Sequence, residues 1–270
     1  MTASLARLDS RALLRVTGPD RASFLQGLLT NDVESLPPGE ARFAAFLTPQ
    51  GKFLFDLFVI AEPDALLLDV QADRRTDLAR RLTMYKLRAK AEIAEDDRTV
   101  FALWGQPAPE GAAFWAADPR LPELGLRGYG AAEPTVSEDA YEAHRLALGV
   151  PDPARDCLAD KTFPIEANFD LLHGVDFKKG CFVGQETTSR MKRRGQIKNR
   201  MLPIAFDGPA PAFGAEVLAG SLRAGEVLSG RDGRAMALVR LDRIDGVDLT
   251  VDGRPVRIER PAWFADVEPL

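Results

Sequence analysis

A chain of 270 residues, 46% of them hydrophobic, is long enough for two or three compact units and has the composition of an ordinary globular protein. Its 35 basic and 40 acidic side chains leave a formal net charge of −5, which excludes a general pull toward DNA and leaves only local basic patches for polyanions. The two cysteines, Cys157 and Cys181, stand in no CxxC spacing and the two histidines, His144 and His173, form no ligand motif with them, which excludes a disulfide framework and a self-sufficient zinc site.

The first nine residues carry no apolar h-region, and no apolar run approaches the length of a membrane span, so a cytoplasmic protein is expected. Residues 12–17 read as a short strand, broken by Gly18-Pro19-Asp20. Asp20 suits the N-cap of a helix that carries Phe24, Leu25, Leu28 and Leu29 on one face. Two apolar runs, 41–47 and 53–60, are joined by the hairpin-like Thr48-Pro49-Gln50-Gly51-Lys52. Asp56 is the lone charge in the second run, and strand period sets it beside Leu54 and Phe58. A strand over 65–70 and a helix opened by Asp73 through Leu78, Leu82 and Tyr85 follow, then strands near 90–94 and 99–104. Residues 106–134 read as loops with one or two short strands, and Ser137 opens a helix stopped by Gly149-Val150-Pro151. Short strands separated by Gly and Asp-Gly turns then recur from 201 to 259, the mark of a small β-barrel. Strands and helices mix without a βαβ rhythm, so the fold class is α+β, divided into 1–205 (two intertwined subdomains) and a barrel domain, 206–270.

Chemistry concentrates near Cys181. In Lys179-Gly180-Cys181-Phe182-Val183-Gly184-Gln185-Glu186 two glycines bracket the thiol, and Lys178 and Lys179 precede it. Local positive charge and a helix beginning near Gln185 would favour the thiolate there; a buried structural cysteine is the alternative. Cys157 reads as a small apolar filler. Glu166, an acid inside Phe163-Pro164-Ile165-Glu166-Ala167-Asn168, suits either the amidine-like edge of a pterin or a core ion pair. Arg190, Lys192, Arg193, Arg194, Lys198 and Arg200 form a basic stretch suited to a polyglutamate tail, a phosphate or RNA, or simply to a solvated face. No aromatic residue interleaves with it, which weakens a single-strand RNA reading.

The segment Lys179–Glu186 also resembles the K-G-C-[FY]-x-G-Q-E signature of the YgfZ family of folate-binding proteins, relatives of the glycine-cleavage T-protein, an aminomethyltransferase. Residues 24–32, 47–52, 85–88 and 164–168 match that family as well, so the resemblance spans most of 8–205. It implies an aminomethyltransferase-like folate-binding fold, α+β subdomains around a central pocket, closed by a C-terminal β-barrel. Tetrahydrofolate or a derivative would be held by Glu166, with Arg200, Tyr85 and Gln185 as further contacts. The resemblance further implies a role in maturing iron–sulfur proteins, including support of radical enzymes that thiolate tRNA, with an indirect tRNA link. Partners would be iron–sulfur assembly or client proteins. Cys181 would be the functional thiol and a transient ligand of an iron–sulfur cluster shared with a partner, because a four-thiolate cluster needs more ligands than this chain offers. Where aminomethyltransferases carry a paired Asp-Asp, this chain has Phe55-Asp56. Asp56 is therefore catalytic only under the alternative, a folate-dependent aminomethyl or one-carbon transferase.

Overall fold

The computed structural model describes residues 4–195, 197–265 and 267, with the side chain of Arg194 also outside the described part. Strands β1 (Ser4–Arg7), β2 (Arg11–Thr17), β3 (Ala41–Leu47), β4 (Phe53–Ala61), β5 (Ala65–Gln71), β6 (Glu92–Asp96), β7 (Thr99–Trp104), β8 (Phe114–Ala117) and β9 (Leu126–Gly130) build two antiparallel sheets. Their orders are β3-β4-β5-β2-β6 and β1-β7-β9-β8. Helices α1 (Arg21–Gln26), α2 (Arg75–Lys86), α3 (Glu138–Ala147), α4 (Pro153–Asp156) and α5 (Gln185–Arg194) accompany them. Strands β10 (Asn199–Ala205), β11 (Glu216–Ala219), β12 (Leu222–Arg231), β13 (Arg234–Arg240), β14 (Leu249–Val251) and β15 (Arg254–Ile258) close a barrel in the order β10-β13-β12-β11-β14-β15. The fold is α+β with a small C-terminal barrel, and the barrel takes in 199–205. The boundary drawn at 205 therefore falls at the end of the first barrel strand, whose Ile204 pairs with Ile258 to shut the ring.

Strand β4 is buried along its whole length because both faces of its sheet are covered. Phe43, Ala45, Phe53, Phe58 and Ile60 point into a core shared with the second sheet, α3 and the barrel residues Met201 and Met236. Phe46, Phe55, Leu57 and Val59 point into a second core with Leu25 of α1 and Leu78 and Leu82 of α2. The alternation slips once. The register passes from Phe46 opposite Phe55 to Leu47 opposite Phe53, so Leu54 bulges and joins the second core. Asp56 keeps company with Phe58 but, contrary to a strict period of two, not with Leu54.

Two residues expected to cap helices behave differently. Asp20 stands at the N-cap position of α1, which ends at Gln26, but its carboxylate accepts the Lys90 N–H at 2.7 Å and makes no capping bond. Asp73 falls in a short 3-10 turn ahead of α2.

Candidate functional site

Cys181 is exposed, in the segment between His173 and α5. Backbone and side-chain bonds pin this segment to the connection between α1 and β3. The Asp176 N–H donates to the Thr30 carbonyl at 3.0 Å and the Val183 N–H to the Gly27 carbonyl at 3.1 Å. The Thr30 hydroxyl donates to the Gly174 carbonyl at 2.6 Å, and the Asn31 amide donates to the carbonyls of Phe43 and His173 at 2.7 and 2.6 Å. Lys179, expected beside the thiol, turns its ammonium instead to the carbonyls of Gln26 and Leu29, the latter at 2.7 Å. Those carbonyls lie where α1 ends and helical donors run out. Burial pushes this lysine down to about 8. Phe182 enters the first core and Val183 packs against the second, so the residue before them is turned outward.

Gln185, at the start of α5, folds back over the loop. Its side-chain oxygen accepts the Phe182 N–H at 3.0 Å, and its amide nitrogen lies 3.8 Å from the Cys181 sulfur as a donor. It lies against the thiol at the start of α5. Gly184 precedes the helix at φ +83°, and a Cβ there would stand 2.6 Å from the Thr48 carbonyl oxygen. A Cβ on Gly51 would stand 2.9 Å from the Gly184 oxygen, so the β3–β4 hairpin and the helix start meet glycine on glycine. Gly184→Ala is expected to cost about 1–3 kcal/mol through strain and displacement of the loop. Gly180→Ala, with φ +96° but nothing within 4 Å of its Cβ, should cost roughly 1–2 kcal/mol from its backbone angle alone. Thermal midpoints and the alkylation rate of Cys181 measure both; equal effects on the thiol in the two variants would contradict the close contact.

Asp56 belongs to a buried ionic cluster. Its carboxylate takes the Arg11 guanidinium at 2.7 Å, and Arg11 also bonds Asp69 at 2.7 Å. Arg127 meets Asp69 at 2.5 Å, the Tyr129 hydroxyl donates to Asp69 at 3.2 Å, and Arg120 pairs with Asp118 at 2.8 Å. Burial pushes the Asp56 carboxyl up against the pull of Arg11. For Asp69 burial acts the same way, but Arg127 and Arg11 outweigh it and hold the carboxyl below its ordinary range. Asp69, Arg11 and Arg127 were missed in the sequence, although Asp69 is the lone charge of the run 65–70 and gives the same signal as Asp56.

Of the residues assigned to folate, Glu166 and Arg200 are neighbours while Tyr85 stands apart. Tyr85 packs edge-on against Phe46, 5.6 Å between centroids, on the face of the sheet opposite Asp56. Arg200 is buried and held by Asp170 at 2.6 Å and 3.0 Å, while its buried Nε finds no hydrogen-bond partner. Glu166 lies beside Arg200, and its two oxygens accept the Phe163 N–H at 2.9 Å and the Asn199 amide at 3.2 Å. The basic stretch does not form one face either. Arg200 is internal, Lys192 pairs with Asp170 at 3.1 Å, Arg190, Arg193 and Lys198 are exposed, and the Arg194 side chain lies outside the described residues. Cys157 packs against the first core, and burial with the charge of Asp156 pushes its thiol well up, as suits an inert filler. Among the described residues no group of three or more His, Cys, Asp or Glu side chains is placed to hold a metal ion.

Residues 198–266 match the family model described as the CAF17 C-terminal beta-barrel domain. The chain is similar to "Iron-sulfur cluster assembly factor IBA57, mitochondrial" of Mus musculus and of Homo sapiens, at 31% identity to each, covering 89% of this chain and 78% of either relative. It is 33% identical to the IBA57 homolog of Neurospora crassa over 80% of this chain. The chain spans only 57% of that fungal relative's length, and 58% of the one from Mycosarcoma maydis. The expectation of a cytoplasmic protein is corrected by these relatives, which are all named mitochondrial. In fold the chain is similar to the glycine cleavage system aminomethyltransferase T from Bartonella henselae, with a TM-score of 0.77 at 18% identity, over 99% of this chain and 88% of that one.

Proposed function

The chain belongs to the IBA57 family of iron–sulfur cluster assembly factors, and from that premise we propose that Cys181 is the residue through which it works. Its thiolate serves as one ligand of a cluster whose other ligands come from a partner protein. The observation that carries this reading is an exposed thiol on a loop fastened by Lys179, Thr30, Asn31 and Gln185. A fastened loop presents the sulfur in one place, as ligand exchange with a partner requires. In that exchange the Cys181 thiolate replaces one thiolate on a cluster iron, the displaced thiolate leaves, and no electrons move.

The YgfZ resemblance extends the proposal to clients that carry [4Fe–4S] clusters, including the radical enzymes that thiolate tRNA. The tRNA itself is not a partner in this reading, because no aromatic residue interleaves with the basic residues between 190 and 200 to stack on its bases. The transferase alternative finds no support at Asp56, whose carboxylate is engaged by Arg11.

The proposal is tested with a glutathione-ligated [2Fe–2S] cluster mixed anaerobically with the protein. Wild type is expected to change the visible circular dichroism as a protein thiolate joins the cluster, and Cys181→Ala is expected to leave the spectrum of the free complex. Identical spectra for the two proteins would sink the assignment.

A further inference from the structure

The fold and the family resemblance imply a central pocket for reduced folate, and the residues of this chain do not fit one. A space that Asp56 lines holds about 20 Å³. One buried water needs roughly 10–15 Å³ and a small-molecule site roughly 300–1,000 Å³. Its walls include Arg11, Arg120, Arg127 and Arg145 beside Asp56 and Phe58. Three guanidinium groups crowd the Phe58 ring, with Arg127, Arg120 and Arg11 at 3.8, 4.8 and 5.5 Å from its centroid. None is loosely held. Arg11 bridges Asp56 and Asp69, Arg127 binds Asp69, and Arg120 binds both Asp118 and the Tyr141 hydroxyl. Moving Arg11 aside leaves the buried Asp56 carboxylate without its ion-pair partner, and moving Arg127 or Arg120 takes from Asp69 or Asp118 its shortest ion pair, a heavier loss than one ligand hydrogen bond returns.

We infer that the central chamber of this chain is sealed by its own arginines and takes no reduced folate. The aminomethyltransferase-like fold is kept, while the space that such a fold could give to a ligand has become an ionic core. This inference goes beyond the thiol assignment and stands or falls apart from it, because the glutathione-cluster experiment involves no folate.

The test is a calorimetric titration of 5-formyltetrahydrofolate into the full-length wild-type protein, into Asp56→Asn and into Glu166→Ala, with hydrogen exchange of the wild type read in parallel. The expected result is no saturable heat at about 1 mM ligand and no change in protection of the amides of residues 56–58. Saturable binding that is lost in either variant, or new protection at 56–58 in the wild type, overturns the inference. The exchange footprint needs no substitution, so it decides even if a variant fails to fold. Saturable binding that is unchanged in both variants and protects only residues 41–42 and 115–117 supports it. The ligand would then sit in the open cleft of about 870 Å³ bounded by Arg42, Trp115, His173 and Phe177, outside the chamber.

Discussion

Cys181→Ala is expected to abolish the protein's support of iron–sulfur enzymes in cells that depend on it, while leaving its thermal midpoint within about 1 °C of wild type. The side chain is exposed, so its loss removes little packing. Its side-chain partner among the described residues, the Gln185 amide at 3.8 Å, keeps its stronger bond to the Phe182 N–H at 3.0 Å. A thiolate ligand has no substitute in alanine, so the functional loss should be complete, and Cys181→Ser should recover little because a serine hydroxyl stays protonated at neutral pH. Activity of a [4Fe–4S] client in a deletion strain carrying each variant is the measurement. Cys157→Ala is the control, expected to be near wild type in function. Full client activity with Cys181→Ala would remove the thiol from the mechanism.

Asp69→Ala is expected to destabilise the fold by roughly 3–5 kcal/mol, because it leaves Arg127 and Arg11 short of a buried partner. The carboxylate has no exposure and receives Arg11 at 2.7 Å, Arg127 at 2.5 Å and the Tyr129 hydroxyl at 3.2 Å. The midpoint should fall by roughly 6–20 °C. Asp245→Ala, which removes only an exposed pair with Arg260 at 2.6 Å, should cost less than about 1 kcal/mol. The same residue sets a pH dependence. Asp69 titrates below its ordinary 3.8 in the folded chain, so its contribution is present above that pH and is lost as the pH falls through the lower folded value. Wild type should therefore lose stability on acidification below about pH 4 faster than Asp69→Asn does. Parallel acid profiles for the two proteins would show that the Asp69 charge is not what holds the two sheets together.

The fold class was legible because its cues are local: alternating apolar runs, the hairpin at 48–52, and a closing series of short strands with Gly turns. The Cys181 loop was legible as a motif, but its fastening was not. Lys179 reaches carbonyls 150 and more positions away, and Thr30 and Gly174 meet across 144 positions. No sequence spacing encodes such contacts. The surroundings of Asp56 were hidden for a related reason. Asp56 looked set to share a face with Leu54, yet which face of a sheet a side chain takes depends on register, and the bulge at Leu54 resets that register just before Asp56. Arg200 looked like part of a solvated basic stretch because its partner Asp170 is thirty residues away and is itself fully buried.

The glycine contact between the hairpin and the start of α5 bears on how the thiol motif can be moved between proteins. Gly51 and Gly184 are 133 positions apart, yet neither can gain a side chain without displacing the other's backbone or its neighbours. A designer who grafts the eight residues around Cys181 onto another scaffold would transfer the chemistry without its mounting. The transplant would also need the hairpin 48–52 and the α1 terminus that receives Lys179. Without them the loop must be ordered each time a partner arrives, at about 0.5–1.5 kcal/mol for each side chain immobilised.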